Sequence, residues 1–214
     1  MIKKINNISF SLYLLISAII FSVLLTLNIS PLIYSIFLET KNLDILNKLS
    51  KTEIMNDYMR IISYLNSHNK NILTFENFSI SSTGSYHFFE VKMIFSSIYL
   101  LGISCLLLGF LVFILKKKFN IIISLKSLNL FFYEVITICG FILLSFYLNF
   151  SKAFTLFHKI LFNNDYWIFN IKTDPIIEVL PESYFLTLGI FALSSVILLA
   201  LLAKLIYITK KTKL

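Results

Sequence analysis

Four long apolar runs divide the chain, and polar segments of unequal length separate them. The runs cover residues 10–33, 93–115, 130–150 and 184–207. A helix that crosses a bilayer needs about 20 mostly apolar residues, because each residue rises about 1.5 Å through roughly 30 Å of hydrocarbon. All four runs meet this requirement, so the pattern predicts four transmembrane helices.

The first run has the position of a signal peptide. Lys3 and Lys4 precede it, and Pro31 closes it. Its apolar stretch is too long for a signal peptide, and no cleavage site of small residues follows. We therefore expect a permanent transmembrane helix here.

The polar segment 34–92 contains the pattern of an amphipathic helix. Ser50 and Glu53 have the spacing of a capping box, which closes the N-terminus of a helix. The apolar positions that follow at helical spacing are Ile54, Tyr58, Ile61, Ile62 and Leu65. We expect this helix to end near Asn66 and to pack its stripe within the segment. Residues 71–80 alternate in part, which favours one or two short strands, and residues 79–85 predict a flexible turn.

The polar segment 151–183 begins with a second amphipathic pattern. On a helix His158 shares the apolar face with Phe154 and Leu161, while Lys152 and Lys159 share the opposite side. The pattern predicts an interfacial helix that lies along the membrane surface. Further on, we expect the side chain of Asp174 to cap a short helical turn that starts at residue 175.

Composition and charge agree with a membrane protein and give its orientation. The chain is 57% hydrophobic and only 14% charged, whereas soluble domains average about 25% charged residues. Ten basic residues and no acid lie at the expected cytoplasmic positions: five in the two termini, four between the second and third runs, and Lys204 near the end of the fourth run. Cytoplasmic loops carry such an excess. We predict an all-α integral membrane protein with both termini cytoplasmic, and a small, mainly helical extracellular cap made by residues 34–92 and 151–183.

Few side chains are candidates for chemistry. His87 lies about six residues before the second run and His158 about eight after the third, so both are expected at the outer membrane interface. Two imidazoles there suit proton transfer on a lipid headgroup, because a histidine exchanges a proton near neutral pH. The alternative is that they only anchor the interface. His68, in a polar turn, is expected to be solvated, and Glu134 is an acid at membrane depth and hence a functional candidate.

Several classes of function have no support in the sequence. Cys105 and Cys139 lie inside apolar runs and predict packed thiols rather than a disulfide or a metal site. Serine-hydrolase, zinc-peptidase and nucleotide-binding motifs are missing. The net charge of +8 reports topology, so we expect no nucleic-acid partner.

Two motifs resemble the signatures of a known bacterial family of four-span membrane proteins. Residues 157–167 read FHKILFNNDYW and continue through 173–182, TDPIIEVLPE; residues 87–92 read HFFEVK. Together with the order of the spans, they are similar to the family of lipoprotein intramolecular transacylases over essentially the whole chain. Glu90 stands where many members of the family have an aspartate.

The resemblance implies a reaction in the bacterial cell membrane. The enzyme would move the sn-2 acyl chain of a diacylglyceryl-cysteine lipoprotein to the α-amine of the same cysteine, which gives the lyso form. His87 and His158 would be the catalytic residues, with no cofactor and no metal. The partners implied are a membrane-embedded lipoprotein substrate and the bilayer; the oligomeric state is left open.

The proposed reaction needs a pocket that folds the substrate, and aromatic residues near the histidines are candidates to line it; the alternative is that they form an ordinary aromatic belt at the membrane interface. The aromatic residues expected to bind substrate are Tyr86, Phe88, Phe89, Phe157, Tyr166 and Trp167. Glu90 or Asp165 is expected to orient an imidazole. Which histidine acts as the base stays open, with His158 preferred because its motif is the more specific. The alternatives are a lipid-ester hydrolase and a non-catalytic membrane assembly or partner-binding protein.

Overall fold

The computed structural model describes residues 5–41, 48–67, 72–119 and 121–212. Its helices are α1 (Asn7–Lys41), α2 (Lys51–Asn66), α3 (Ser82–Phe119), α4 (Lys126–Leu161), α5 (Ile176–Val179) and α6 (Glu182–Lys211). No strand occurs in the described ranges, which confirms the all-α class. The expected solvated position of His68 lies outside the described residues.

Four of these helices are long and apolar enough to cross a membrane. They are α1, α3, α4 and α6, and each contains one of the predicted apolar runs. Their outer surfaces are strongly apolar; on α3, for example, Leu106 and Phe110 are among the exposed side chains. Apolar side chains of this kind are stable in contact with lipid. The backbone N–H and C=O groups of a spanning helix are satisfied by hydrogen bonds within the helix.

Helix α1 continues past Pro31 to Lys41, so the expected end of the helix near Pro31 was wrong. A proline lacks the N–H that would bond to the carbonyl four residues earlier. Here the hydroxyl of Ser30 donates to the carbonyl of Leu27 at 2.7 Å. The side chain thus satisfies the carbonyl that the proline leaves free, and the helix is not broken.

Helix α4 changes direction at Asn149, where the backbone is extended (φ −167°, ψ 97°). The Asn149 side chain accepts a hydrogen bond from the backbone N–H of Lys152 at 2.9 Å, the geometry of an N-cap. A new helical limb therefore begins after Asn149 and includes the predicted interfacial helix. As expected, His158 is buried on this limb and Lys152 and Lys159 are exposed.

The described chain forms two compact units. The first comprises residues 5–25, 98–144 without residue 120, and 190–212. Its core is built from α1, α4 and α6, with Leu15, Ala18, Phe131, Val135, Cys139, Val196, Ala200 and Ala203. Helix α3 is tied to α1 by the Tyr13 hydroxyl, which donates to the carbonyl of Cys105 at 3.0 Å. Both cysteines are free thiols, and Cys139 packs as the apolar residue predicted.

The second unit comprises residues 26–97 and 145–189, apart from the residues not described. Helix α2 begins with the predicted capping box of Ser50 and Glu53. Its predicted apolar stripe is buried. Tyr58 on this stripe bonds to the hydroxyl of Tyr184 at 2.6 Å and to Ser30 at 2.7 Å. These bonds join α2 to α1 and α6.

Residues 72–80 form an irregular segment, so the predicted strands do not occur there. The fully buried carboxylate of Asp57 holds it. It accepts the backbone N–H groups of Glu76 and Asn77 at 2.7 and 2.8 Å. Backbone groups that would pair in a sheet are instead satisfied by a side chain from α2.

The start of α3 was also predicted wrongly, because residues 82–85 are helical and not a flexible turn. Asp174 explains the difference. Its carboxylate accepts the N–H of Ser81 at 2.7 Å, directly before α3, and makes no side-chain cap for α5. Asp174 therefore stabilises the beginning of a distant helix rather than its own turn. Gly84 lies so close to this carboxylate that a Cβ atom would collide with it.

Candidate active site

The structure brings the two interfacial histidines together within the second unit. His87 lies in the second turn of α3, and His158 lies in the limb of α4 that follows Asn149. Their ring centroids are 6.0 Å apart, and each residue is only 8% exposed. A small substrate group could contact both imidazoles at this separation.

His158 is held in a defined tautomer. Its Nδ1 atom lies 2.7 Å from the carbonyl oxygen of Phe154. A carbonyl oxygen only accepts hydrogen bonds, so Nδ1 carries the hydrogen and Nε2 of the neutral ring has a free lone pair. The indole of Trp167 stacks on the same ring with centroids 4.7 Å apart and planes 27° apart. The ring is thereby fixed in orientation with its acceptor nitrogen available.

His87 sits in a more apolar environment. Phe162 and Phe169 approach its ring edge-on, with centroid distances of 4.7 and 5.6 Å. Its Nδ1 atom is buried and has no hydrogen-bond partner among the described residues. A buried polar atom without a partner is costly in a protein, so Nδ1 of His87 is an unsatisfied group in this site.

Burial keeps both imidazoles neutral near pH 7. Both residues lie outside the runs 93–115 and 130–150 that we expect to cross the hydrocarbon. Burial lowers the pKa of His87 to about 4, and the nearby His158 adds to this effect. Burial also lowers the pKa of His158, but the Phe154 carbonyl and the charge of Glu182 oppose the decrease. His158 is therefore the better placed of the two to accept a proton.

The two acids expected to orient an imidazole have different surroundings. Glu90 accepts a hydrogen bond at Oε1 from the side-chain amide of Asn164, at 2.8 Å, and its Oε2 atom is buried without a partner among the described residues. Asp165 is exposed. Among the contacts of the described residues, neither carboxylate bonds directly to His87 or His158.

Asn164 connects the two motifs, although no pattern in the sequence indicated an individual role for it. Besides its bond to Glu90, its backbone carbonyl accepts the indole N–H of Trp167 at 3.1 Å. Its side-chain oxygen accepts the N–H of Tyr166 at 3.0 Å. Asn164 thus links the helix of His87 to the indole that stacks on His158.

The predicted aromatic residues fall into two groups. Phe88 is buried and packs against Phe169, which also contacts His87. Tyr86, Phe89, Phe157 and Tyr166 are each more than 40% exposed. Tyr86 and Tyr166 meet edge-to-face at 5.6 Å, and Phe157 meets His158 at 5.4 Å. The exposed group forms an apolar rim beside the imidazoles.

Other candidates lie elsewhere. Glu134 belongs to the first unit, where its carboxylate accepts a hydrogen bond from Ser11 at 2.9 Å. Among the residues that the structure describes, no group of three or more His, Cys, Asp or Glu side chains could hold a metal ion.

The chain resembles proteins with a named activity. The chain matches the family model described as "Lipoprotein intramolecular transacylase Lit" over residues 8–185. The in meso structure of the membrane integral lipoprotein intramolecular transacylase Lit from Bacillus cereus is 28% identical, with a TM-score of 0.79 over 94% of this chain and 96% of that one. No curated protein sequence matches the chain.

Two further structures of the Bacillus cereus protein are similar to this chain. One carries a histidine-to-arginine mutation and is 27% identical, with a TM-score of 0.75 over 97% of this chain and 93% of that one. The other carries a histidine-to-alanine mutation and is 28% identical, with a TM-score of 0.73 and 94% coverage of both chains.

The family match favours neither the hydrolase nor the non-catalytic alternative. The chain is a membrane acyltransferase that belongs to the lipoprotein intramolecular transacylase family.

Proposed function

We propose that this protein moves the sn-2 acyl chain of a diacylglyceryl-cysteine lipoprotein to the α-amine of the same cysteine, with His87 and His158 as the catalytic residues. The observation that carries the proposal is the pair of buried imidazoles, 6.0 Å apart, in a chain of this family. Nucleophile and ester belong to one substrate molecule, so the protein needs to supply orientation, proton transfer and charge stabilisation.

His158 acts as the general base. Its Nε2 lone pair is free because Nδ1–H is committed to the Phe154 carbonyl. As the amine nitrogen attacks the ester carbonyl, Nε2 takes a proton from it; as the carbon–oxygen bond breaks, the same nitrogen returns that proton to the leaving glyceryl oxygen. A positioned base of this kind contributes about 10²- to 10⁴-fold to a rate.

His87 stabilises the negative charge that develops on the carbonyl oxygen. A neutral imidazole can donate an N–H, and burial holds the pKa of His87 at about 4, so the ring stays neutral at pH 7. In the tautomer with hydrogen on Nδ1, this buried donor meets no acceptor among the described residues. A donor placed before charge develops is worth about 10²- to 10³-fold in rate.

The aromatic rim would confine the substrate. Tyr86, Tyr166 and Phe157 present exposed apolar faces beside the imidazoles. They can hold the glyceryl and acyl groups against the amine and exclude water, which would otherwise hydrolyse the ester. Orientation of reacting groups within one molecule contributes up to roughly 7–11 kcal/mol in favourable cases.

The charge pattern supports a site on the outer face of the cell membrane, with both termini in the cytoplasm. The two termini carry five basic residues, the stretch between the second and third apolar runs carries four, and Lys204 near the end of the fourth run is the tenth; these parts contain no acid. His87 lies near the start of α3 and His158 near the end of α4, and these are the ends away from the basic stretch that connects the two helices. Lipoproteins mature on that face, so the orientation would present the site to a membrane-embedded substrate.

The test is expression in a bacterium whose lipoproteins carry only the diacylglyceryl group. The N-terminal lipopeptide of one abundant lipoprotein is read by tandem mass spectrometry, for the natural chain and for His87→Ala and His158→Ala. The chain's third histidine supplies the matched control, His68→Ala. We expect one acyl chain to move from glycerol to the amine at unchanged total mass with the natural chain and with His68→Ala.

The amount of each variant in the membrane shows whether a loss of activity is a loss of catalysis or of folding. We expect His87→Ala and His158→Ala to reach the membrane in normal amount and to leave the lipopeptide unrearranged. Full rearrangement by either variant would contradict its catalytic role. Loss of one acyl mass would indicate hydrolysis instead of transfer.

A further inference from the structure

Glu90, three residues after His87 on α3, has a carboxylate oxygen without a hydrogen-bond partner among the described residues. One carboxylate oxygen, Oε1, is held by the side-chain amide of Asn164 at 2.8 Å. The other, Oε2, is buried and has no partner among the described residues. Asn164 is itself fixed by the N–H of Tyr166. One oxygen of this carboxylate is therefore held by Asn164, and the other is buried without a donor.

The placement of Glu90 relates this oxygen to the reaction site. Glu90 follows His87 by three residues on α3, so both side chains lie on one helix face. His87 contacts Phe162 and Phe169, and Glu90 contacts Asn164, so both face the same segment. As a residue Glu90 is only partly buried, although Oε2 itself is enclosed.

A buried carboxylate oxygen requires a hydrogen-bond donor, and a cationic donor is the best match. The substrate of the proposed reaction brings one. An α-amine titrates near 7.7–8.0, so most of it is protonated at pH 7 and has three N–H donors but no lone pair. Until one proton is removed, this nitrogen cannot attack an ester.

We propose that Glu90 binds the α-ammonium group of the substrate lipoprotein through Oε2 and accepts the first of its protons. The proposal rests on the function proposed above. In a site that excludes water, an ammonium–carboxylate pair can convert to neutral amine and carboxylic acid, because both charges are costly to bury. Proton transfer to Oε2 leaves a neutral amine with a free lone pair.

The remaining steps balance. The amine forms the carbon–nitrogen bond and gives its second proton to His158, which delivers it to the glyceryl oxygen as the carbon–oxygen bond breaks. The nitrogen keeps one hydrogen, that of the amide product. The carboxylic acid of Glu90 releases its proton to water after the product leaves. Glu90 and His158 thus handle different protons of one nitrogen.

The experiment measures binding without turnover. The full-length chain carrying His158→Ala is reconstituted in phospholipid vesicles, so that the substrate is not converted. Two synthetic lipopeptides are compared: one with an N-terminal S-diacylglyceryl-cysteine, and one identical except that hydrogen replaces the α-amino group. Affinities are measured with Glu90 present, with Glu90→Gln, and with the control Glu39→Gln, whose side chain is 72% exposed and paired with Lys51.

We expect Glu90→Gln to weaken binding of the amino lipopeptide by about ten- to a hundredfold, the range for a lost charge-assisted bond. Binding of the desamino lipopeptide should not change, and Glu39→Gln should change neither. The proposal would be overturned if the ratio of the affinities for the amino and desamino lipopeptides were the same in Glu90→Gln as with Glu90 present. It would also be overturned if Glu90→Gln weakened the binding of both lipopeptides equally. Failure of the proposed function would show instead as an unrearranged lipopeptide with the natural chain.

A second variant guards against a folding defect in Glu90→Gln. Glu90→Asp keeps the charge, and it should retain a preference for the amino lipopeptide. The emission of Trp167, the chain's only tryptophan, reports whether the surrounding segment is intact in each variant. A Glu90→Asp protein with natural emission and no preference for the amino ligand would also overturn the proposal.

Discussion

Replacing Asp57 with alanine should destabilise the second unit, although the residue lies outside the catalytic pair. Asp57 is fully buried on α2. Its two carboxylate oxygens accept the backbone N–H groups of Glu76 and Asn77 and the side-chain amide of Asn77, at 2.7, 2.8 and 3.1 Å. Arg60 on the same helix adds an ion pair with Glu76 of the 72–80 segment.

The size of the effect follows from these bonds. A hydrogen bond to a charged group contributes about 1.5–3 kcal/mol, but water can reach the 76–77 backbone once the carboxylate is gone, because Glu76 and Asn77 are exposed. We therefore expect a loss of about 3 kcal/mol for Asp57→Ala and about 2 kcal/mol for Asp57→Asn. For a chain of this length, about 3 kcal/mol corresponds to a decrease in Tm of roughly 10 °C.

Thermal unfolding in detergent micelles measures this change, with Asp165→Ala as the control because Asp165 is exposed. The control should unfold within a degree or two of the natural chain. Activity should also decrease in Asp57→Ala at temperatures near its Tm. The segment 72–80, which Asp57 holds, contains Phe75, and Phe75 packs edge-on against Phe88, the neighbour of His87. An Asp57→Ala protein with natural Tm would refute the reasoning.

Three further predictions concern the site and its support. Trp167 stacks on His158, and an imidazolium quenches a neighbouring indole, so emission should fall on acidification with a midpoint below pH 6.5, the ordinary pKa of histidine, and should lose this transition in His158→Ala. Gly84→Ala would force a methyl group against the buried carboxylate of Asp174, so we expect a loss of about 1–3 kcal/mol in the free energy of unfolding, measured by the same thermal assay. Burial lowers the pKa of His87 to about 4, so between pH 6.5 and 4 the unfolded chain binds a proton more readily than the folded chain does. The free energy of unfolding should therefore fall by up to ~3 kcal/mol as the pH is lowered over that range. Tm measured against pH checks this, and the decrease should be smaller in His87→Gln.

Local patterns predicted the elements that local interactions determine. The capping box of Ser50 and Glu53 and the stripe of α2 both occur, because caps and amphipathic faces involve residues three or four apart. The pattern around His158 predicted its buried face in the same way. That His87 lies near it followed from topology, since both were placed at one membrane interface.

Contacts between distant residues account for what the sequence did not reveal. Asp174 was expected to cap the turn next to it, but it bonds 93 residues away to Ser81. The partial alternation of residues 71–80 favoured strands, yet Asp57 satisfies the backbone there. Asn164 was given no individual role, because its bond to Glu90 spans 74 residues. No local pattern contains such pairs.

Pro31 shows a different source of error. A proline ordinarily ends or kinks a helix because one N–H is missing, and the sequence alone gives no reason to expect otherwise. The Ser30 hydroxyl bonds to the carbonyl left free, while Tyr184 donates to the Ser30 carbonyl at 3.2 Å. A local bond thus replaces the one that the proline removes, and a tertiary contact from α6 supports it.

The central claim is that the acyl chain stays within one substrate molecule while His158 moves the proton. The most direct measurement uses the purified chain in vesicles with two diacylglyceryl-cysteine lipopeptides, one with deuterated acyl chains and a distinct peptide sequence. We predict rearranged products in which each peptide keeps its own acyl chains, and no product with His158→Ala. Products that combine the deuterated acyl chain with the other peptide, or free fatty acid, would contradict the account.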